Sequence, residues 1–263
     1  MRDPHVVSLI YVLDPGEANV SFSDVAAPVE IETKGFSLRL AEGVLAIAMH
    51  DHHPTESSAR DAVEPYLRAW EIQLGLTVGG GSAEFSFRFE SSELVDRDPP
   101  PPGTPQTVQA ESVMRLRLRA SGTGHVERAN YPSPVSDFAV DPDVETLWTR
   151  WCGYLDERES LQTMAYFCLT VVEHSAGGRD AVASHYAISS KVISTLATLS
   201  TETGDATTAR KMGRKLRPLT DPEQTWLEAA VRALIERAGE VAADAARTRT
   251  QITMAHLPSM SAT

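Results

Sequence analysis

In the first 50 or so residues, apolar and polar positions alternate with the period of two that a β-strand requires. An apolar, β-branched run over residues 5–13 ends at an Asp-Pro-Gly turn signal. Two alternating runs, at 29–31 and 36–40, flank the dipeptide Lys34-Gly35, and this arrangement predicts a hairpin. A short continuous apolar run over 44–49 predicts a central strand.

The pattern then changes to a helical period and returns to strands. Apolar residues at helical spacing predict a helix over 55–75, which Pro65 should kink or divide into two halves. Phe85, Phe87 and Phe89 alternate with polar residues after this helix. Since successive side chains of a strand point to opposite faces, the three rings share one face and belong in a core.

From about residue 141, apolar positions recur every three to four residues almost to the end of the chain. Helices are predicted over residues 144–155, 157–175, 180–199 and 220–247. The last one has the clearest start signal, because Thr220-Asp221-Pro222-Glu223 is a capping box with proline at the first helical position. The residues after about 247 carry no pattern and are expected to fray.

Together these elements predict an α+β fold in two parts. A β-rich α/β domain would span residues 1–138 and an α-helical bundle would span 141–247, followed by a flexible tail over 248–263.

Charge and cysteine usage narrow the function classes. The 263 residues carry 36 acidic and 24 basic side chains, a net charge of −12, which excludes a protein that coats nucleic acid uniformly. Two cysteines, Cys152 and Cys168, are too few for a disulfide scaffold and predict buried free thiols. No apolar run approaches the roughly 20 residues of a membrane helix, and Asp3 does not suit a signal peptide. We expect a cytoplasmic protein without a membrane partner.

Histidines follow the apolar run 44–49 and offer a metal site. His50 and His52 would share one face of a strand, and His53 is adjacent. Catalytic zinc needs three converging ligands and an open position, so this cluster suggests a metal-dependent hydrolase. The same residues also read as the polar end of a strand before a helix. The sequence contains no HExxH, CxxC, P-loop or GxSxG motif.

A second candidate for chemistry opens a predicted helix directly after Gly177-Gly178. Arg179, five intervening residues and His185 would supply a bidentate phosphate ligand and a group that moves protons near neutral pH. Asp180 would orient one of them. The offset of six residues places Arg179 and His185 about 120° apart on a helix, so both face one cleft only if Arg179 precedes the first regular turn. The alternative is a solvated Arg179 and a His185 packed beside Tyr186.

A helical bundle with Arg-x(4–6)-His, and a polar residue after the arginine, resembles the HEPN superfamily. The resemblance covers about residues 141–247. It implies a metal-independent ribonuclease of defence or toxin systems, without a cofactor, that acts as a homodimer pairing two motifs. Arg179 would then bind the scissile phosphate and His185 would act as general base or acid. Other HEPN domains have lost catalysis and serve as binding or scaffold modules. A β-rich part ahead of such a bundle is also similar to some abortive-infection proteins.

Basic residues are concentrated at one place in this acidic chain. Five cations fall within eight residues and suggest a surface that holds RNA near the bundle: Arg210, Lys211, Arg214, Lys215 and Arg217. The alternative is a solvated segment that pairs with acidic groups of the same chain. An alternating strand over 114–119 would place three further arginines on one face, which reads more simply as an exposed sheet face: Arg115, Arg117 and Arg119.

Three functions therefore follow from the sequence. The first is a HEPN-like ribonuclease or defence effector whose N-terminal domain senses a ligand or binds a protein partner. The second is a non-catalytic adaptor that uses the bundle for dimerisation or partner binding. The third is the metal-dependent hydrolase that would use His50, His52 and His53.

Overall fold

The computed structural model describes residues 3–14, 20–77, 85–98, 126–131, 134, 137–201 and 217–260. The chain divides into two compact units, Met1–Pro134 and Val135–Thr263, here called the N-terminal unit and the helical unit. The described sheets lie in the first unit, and five of the six described α-helices lie in the second. The predicted α+β class is confirmed.

Seven strands are described in the N-terminal unit: β1 (Pro4–Asp14), β2 (Val20–Ala27), β3 (Val29–Glu32), β4 (Phe36–Ala41), β5 (Val44–Met49), β6 (Ser86–Asp96) and β7 (Val126–Asn130). Five of them form an antiparallel sheet in the order β3-β4-β5-β1-β6. The remaining two, β2 and β7, pair in parallel. The predicted hairpin is β3-β4, and β5 has the inner position that its apolar run indicated.

One long helix, α1 (Glu56–Thr77), packs its apolar stripe against this sheet. Val63, Leu67 and Trp70 are buried on that stripe at spacings of four and three residues. Pro65 lies inside a single helix of 22 residues, so the expected division into two halves is wrong. Of the three predicted core phenylalanines, Phe85 and Phe87 are buried and Phe89 is partly buried.

The helical unit contains α2 (Pro142–Leu155), α3 (Leu161–Ser175), α4 (Arg179–His185), α5 (Ser190–Thr201) and α6 (Asp221–Ala243). Helix α3 contacts α2, α5 and α6, which gives it the central position expected of its apolar sequence. The predicted capping box of α6 is present, with Thr220 and Glu223 bonded reciprocally. No helix among the described residues is long and apolar enough to cross a membrane.

The expectation of one helix over 180–199 is wrong, because α4 and α5 are separated by residues 186–189. Ala187 has a φ of 46°, outside the helical region. The buried Arg237 of α6 donates hydrogen bonds to the carbonyl oxygens of Tyr186 at 3.0 Å and Ala187 at 3.3 Å. In a continuous helix these two carbonyl groups would instead accept hydrogen bonds from the N–H groups four residues later.

The segment over 248–263, expected from the sequence to be a flexible tail, bonds to the residues between α4 and α5. Ile252 forms a parallel bridge with Ile188, and Ser189 N–H donates to the Ile252 carbonyl at 2.8 Å. Arg237 also donates to the Thr250 carbonyl at 2.9 Å. A short 3-10 helix follows at Met254–His256. Residues 250–257 therefore have defined partners, which a search for apolar periodicity does not detect.

Candidate functional site

The predicted catalytic residues lie on α4, which starts directly after two glycines. Gly177 and Gly178 have φ values of 81° and 130°, so both adopt a conformation that L side chains rarely take. Arg179 is the first residue of the helix and His185 is the last. Arg179 is thus within the first turn rather than before it, and the 120° separation estimated from the sequence applies.

Arg179 is positioned by a neighbour that the sequence had not indicated. Its Nε lies 3.4 Å from Oε1 of Glu173 on α3, and the arginine side chain remains 54% exposed. The Glu173 side chain is only 28% exposed. The ion pair draws the guanidinium toward the end of α3, and the exposure leaves part of the side chain open to a ligand.

His185 is exposed and lies edge-on against Tyr186, with ring centroids 4.6 Å apart and planes at 78°. Tyr186 is buried, and this burial raises its pKa. The packing of His185 beside Tyr186 is the arrangement that the non-catalytic alternative expected. Among the described residues, no hydrogen bond or ion pair joins Arg179, Asp180 and His185 to one another.

The predicted RNA-holding cluster is described at one position only. Arg210, Lys211, Arg214 and Lys215 lie outside the described residues, as do the three arginines of the predicted strand over 114–119. Arg217 donates from both terminal nitrogens to the carboxylate of Glu223, with Nη1 at 2.6 Å. This contact lowers the pKa of Glu223 to about 2. The contact of Arg217 therefore agrees with the alternative interpretation, in which the basic segment pairs with acidic groups of the same chain.

The histidines after β5 diverge instead of converging. The strand ends at Met49, and His50 Nε2 lies 3.5 Å from Glu32. His52 Nε2 lies 3.1 Å from Asp3, on a different part of the unit. Over the described part of the chain, no three His, Cys, Asp or Glu side chains are grouped so that they could hold a metal ion.

A groove that sequence reasoning missed lies between α1 and strands β1 and β6. It has a volume of about 500 Å³. Its walls include Tyr11 of β1, Phe87 and Phe89 of β6, and Arg60, Asp61 and Glu64 of α1. We call it the α1 groove. Tyr11 is only 2% exposed, and its hydroxyl lies beside the guanidinium of Arg60.

Two charged pairs and an aromatic stack shape the wall of the α1 groove. Arg60 lies over the ring of Phe89 at 4.6 Å and donates from Nε to Glu64 at 2.8 Å. Arg68 donates to Glu71 at 3.0 Å. Burial raises the pKa of Tyr11 to about 12, and the negative charge of Glu64 adds to this rise while Arg60 opposes it. The phenol therefore stays protonated at neutral pH.

The one signal for this groove in the sequence is Pro65, in the middle of a helical pattern. Proline has no N–H, so the carbonyl oxygen of Asp61 loses the donor that normally bonds it four residues later. The other parts of the groove come from segments far apart in the chain. Their proximity could not be read from periodicity.

Comparison with known proteins found no protein-family model, no curated protein and no solved structure that matches this chain.

Proposed function

We propose that the helical unit is a HEPN-like, metal-independent ribonuclease of the defence or toxin type, with the N-terminal unit as its sensing or partner domain. The observation that carries this proposal is the exposure of Arg179 and His185 on one short helix, with Arg179 positioned by Glu173. The pairing leaves the arginine more than half exposed, so a phosphate has access to the guanidinium.

In the proposed reaction, His185 accepts the proton of a ribose 2′-hydroxyl as the oxygen attacks the adjacent phosphorus. The bond from phosphorus to the 5′-oxygen breaks, and that oxygen takes a proton from a general acid. The products are a 2′,3′-cyclic phosphate and a 5′-hydroxyl. Arg179 stabilises the negative charge that develops on the phosphorane oxygens. Asp180 would orient one of these two side chains.

The working form in this proposal is a homodimer. Arg179 and His185 are six residues apart, so a regular helix separates them by about 9 Å along its axis and their directions by about 120°. A second copy related by a twofold axis would bring the Arg179 of one chain opposite the His185 of the other. Each dimer would then contain two composite sites.

The first test is cleavage of a labelled mixed-sequence RNA in the presence of EDTA. The proposal expects His185→Ala and Arg179→Ala to lower the rate by about a hundredfold or more, the usual contribution of general acid-base catalysis. His174→Ala is the matched control, because His174 is an exposed histidine of the same unit. Cleavage by all three variants at the wild-type rate would contradict the proposal.

A mixing experiment tests the composite site separately. Arg179→Ala and His185→Ala chains, denatured together and refolded at equal amounts, would form mixed dimers that each retain one intact site. With random pairing, half of the dimers are mixed, and activity should recover to about a quarter of the wild-type value. No recovery would place both catalytic groups in one chain.

The second candidate is a non-catalytic adaptor, and the packing of His185 against Tyr186 favours it. Absence of cleavage by the wild-type protein would select this candidate. The next measurement would then be the sedimentation of the full chain, alone and together with the proteins that it captures. The cytoplasmic location in either proposal is supported by Cys168, a buried free thiol of the kind that a reducing compartment maintains.

A further inference from the structure

One face of the five-stranded sheet packs against α1, and the strand β5 is exposed on the opposite face, which we call the open face. The residues that pair at the centre of the open face, on β5 and β1, are Val44 with Val12, Ala46 with Ile10, and Ala48 with Ser8. Five of these six residues are apolar, and Val44 is 41% exposed. Since an antiparallel sheet normally has polar residues on a solvated face, this centre indicates a contact surface.

Two charged residues of β6 lie on the open face, one on each side of its central row. Arg88 pairs with Val12 and Glu93 pairs with Ser8, so both share the face of those β1 residues. The Ser8 hydroxyl also donates to Glu93 Oε2 at 3.4 Å. Ile10 lies midway between Val12 and Ser8 on β1. The two exposed charges are therefore placed symmetrically about the row of Ile10, and they have opposite signs.

A twofold axis that crosses the strands along the row of Ile10 and Ala46 makes this charge pattern complementary to itself. Two copies related by that axis stack each strand over its own equivalent, running in the opposite direction. Arg88 of one copy then lies opposite Glu93 of the other, and the reciprocal contact forms at the same time. The small side chain of Ala46 at the centre suits the spacing of about 10 Å at which two sheets pack.

We propose that the open face is an interface between two copies of this chain, related by this twofold axis. Farther along the same row, Arg39 and Glu30 neutralise each other at 3.2 Å within each copy, so the row adds no net repulsion. Five strands and six residues along each give a contact of about 24 Å by 20 Å, or about 500 Å² of each sheet. This area is below the roughly 800 Å² per partner of a standard interface, so we expect a dissociation constant in the micromolar range.

This surface is in the N-terminal unit and does not depend on the ribonuclease proposal or on the dimer of the helical unit. If the helical unit also dimerises, the wild type forms assemblies larger than a dimer, and loss of the open-face contact should halve their mass. If it does not, loss of the contact should convert a dimer to a monomer. The two interfaces are therefore separated by variants of the open face alone.

The test is sedimentation velocity of the full chain at low salt, over a concentration series that spans the micromolar range. Glu93→Arg places two arginines opposite each other at both symmetric contacts, and Arg88→Glu places two carboxylates there. Each variant should weaken the association about a hundredfold, because two ion pairs become two like-charge contacts. The exchanged variant, Arg88→Glu with Glu93→Arg, restores both pairs with their signs reversed and should associate within about threefold of the wild type.

Asp61→Arg is the matched control for Glu93→Arg, because it makes the same charge change at an exposed acid of α1, which covers the other face of the sheet. It should associate as the wild type does. Arg88 and Glu93 are both exposed, so thermal unfolding of the variants should stay within a few degrees of the wild type.

A wild type that is monomeric throughout the series would overturn the proposal. Single variants with the mass of the wild type would overturn it too. Failure of the exchanged variant to associate would show that Arg88 and Glu93 do not face each other, and would also overturn it.

Discussion

Replacing Gly239 by alanine tests the packing of the helical unit at its closest approach. Gly239 lies in α6, and a Cβ there would come within 2.1 Å of Cε2 of Phe138 and 2.4 Å of two other ring atoms. Phe138 is 8% exposed and is followed by Ala139, whose N–H donates to the Gly239 carbonyl at 3.0 Å. The ring therefore has little room to move away.

The expected magnitude is a balance of two effects. Alanine in a helix interior is favoured over glycine by about 1 kcal/mol. Overpacking of a buried site costs about 1–3 kcal/mol, and a contact near 2 Å belongs at the upper end. The free energy of unfolding should therefore fall by about 2 kcal/mol. Urea unfolding followed by tryptophan fluorescence measures it, since Trp148, Trp151 and Trp226 lie in this unit.

Two further variants make the reasoning refutable. At Gly153 of α2 the nearest atom to a new Cβ is Oε1 of Glu159 at 3.0 Å, the flexible end of a side chain, so Gly153→Ala should not be destabilising. In a Phe138→Ala background, Gly239→Ala should change sign and stabilise by about 1 kcal/mol. If Gly239→Ala is as stable as the wild type, or equally destabilising in both backgrounds, contact with Phe138 is not the cause.

Three other measurements follow from buried or paired groups. Arg237→Met removes the donors of three backbone carbonyls and should lower the free energy of unfolding by about 3 kcal/mol. Proteolytic cleavage after residue 247 should also occur earlier in the variant than in the wild type. Unchanged stability and cleavage would contradict this. Arg217 holds the pKa of Glu223 at about 2, below its ordinary 4.5, so this stabilisation is present above pH 4.5 and is lost as the pH falls toward 2. Urea titrations should show the stability difference between wild type and Glu223→Gln shrinking over that range; a constant difference would argue against the pair. Burial raises the pKa of Cys168 to about 12, so a thiol reagent at pH 8 should label it only on unfolding, and rapid labelling of the native protein would be the contrary result.

Local patterns predicted the elements that depend on local interactions. The β3-β4 hairpin follows from two alternating runs around Lys34 and Gly35, and its four Cα pairs agree with that pattern. The start of α6 follows from Thr220 and Glu223, which bond within one helical turn. In both places the partners are only a few residues apart, so the sequence contains the whole interaction.

Long-range bonds account for the elements that the pattern misassigned. The helical period continues through residues 180–199, but Arg237 bonds the carbonyl of Tyr186, which is 51 residues away. Residues 250–257 have no apolar period, yet Ile252 pairs with Ile188. A search for period 3.6 detects a buried stripe and cannot detect a side chain from another helix that bonds the backbone.

The sequence by itself determined the α+β class, the alternation that builds the sheet, the long amphipathic helices and the acidic net charge, because each depends on residue type and nearby spacing. Tertiary structure alone decided the ion pair of Arg179 with Glu173 and the divergence of His50 from His52. It also decided that Tyr11, Arg60 and Phe89 share one groove. Burial and the matching of donors to acceptors arise between segments distant in the chain, and they exist only once the chain has folded.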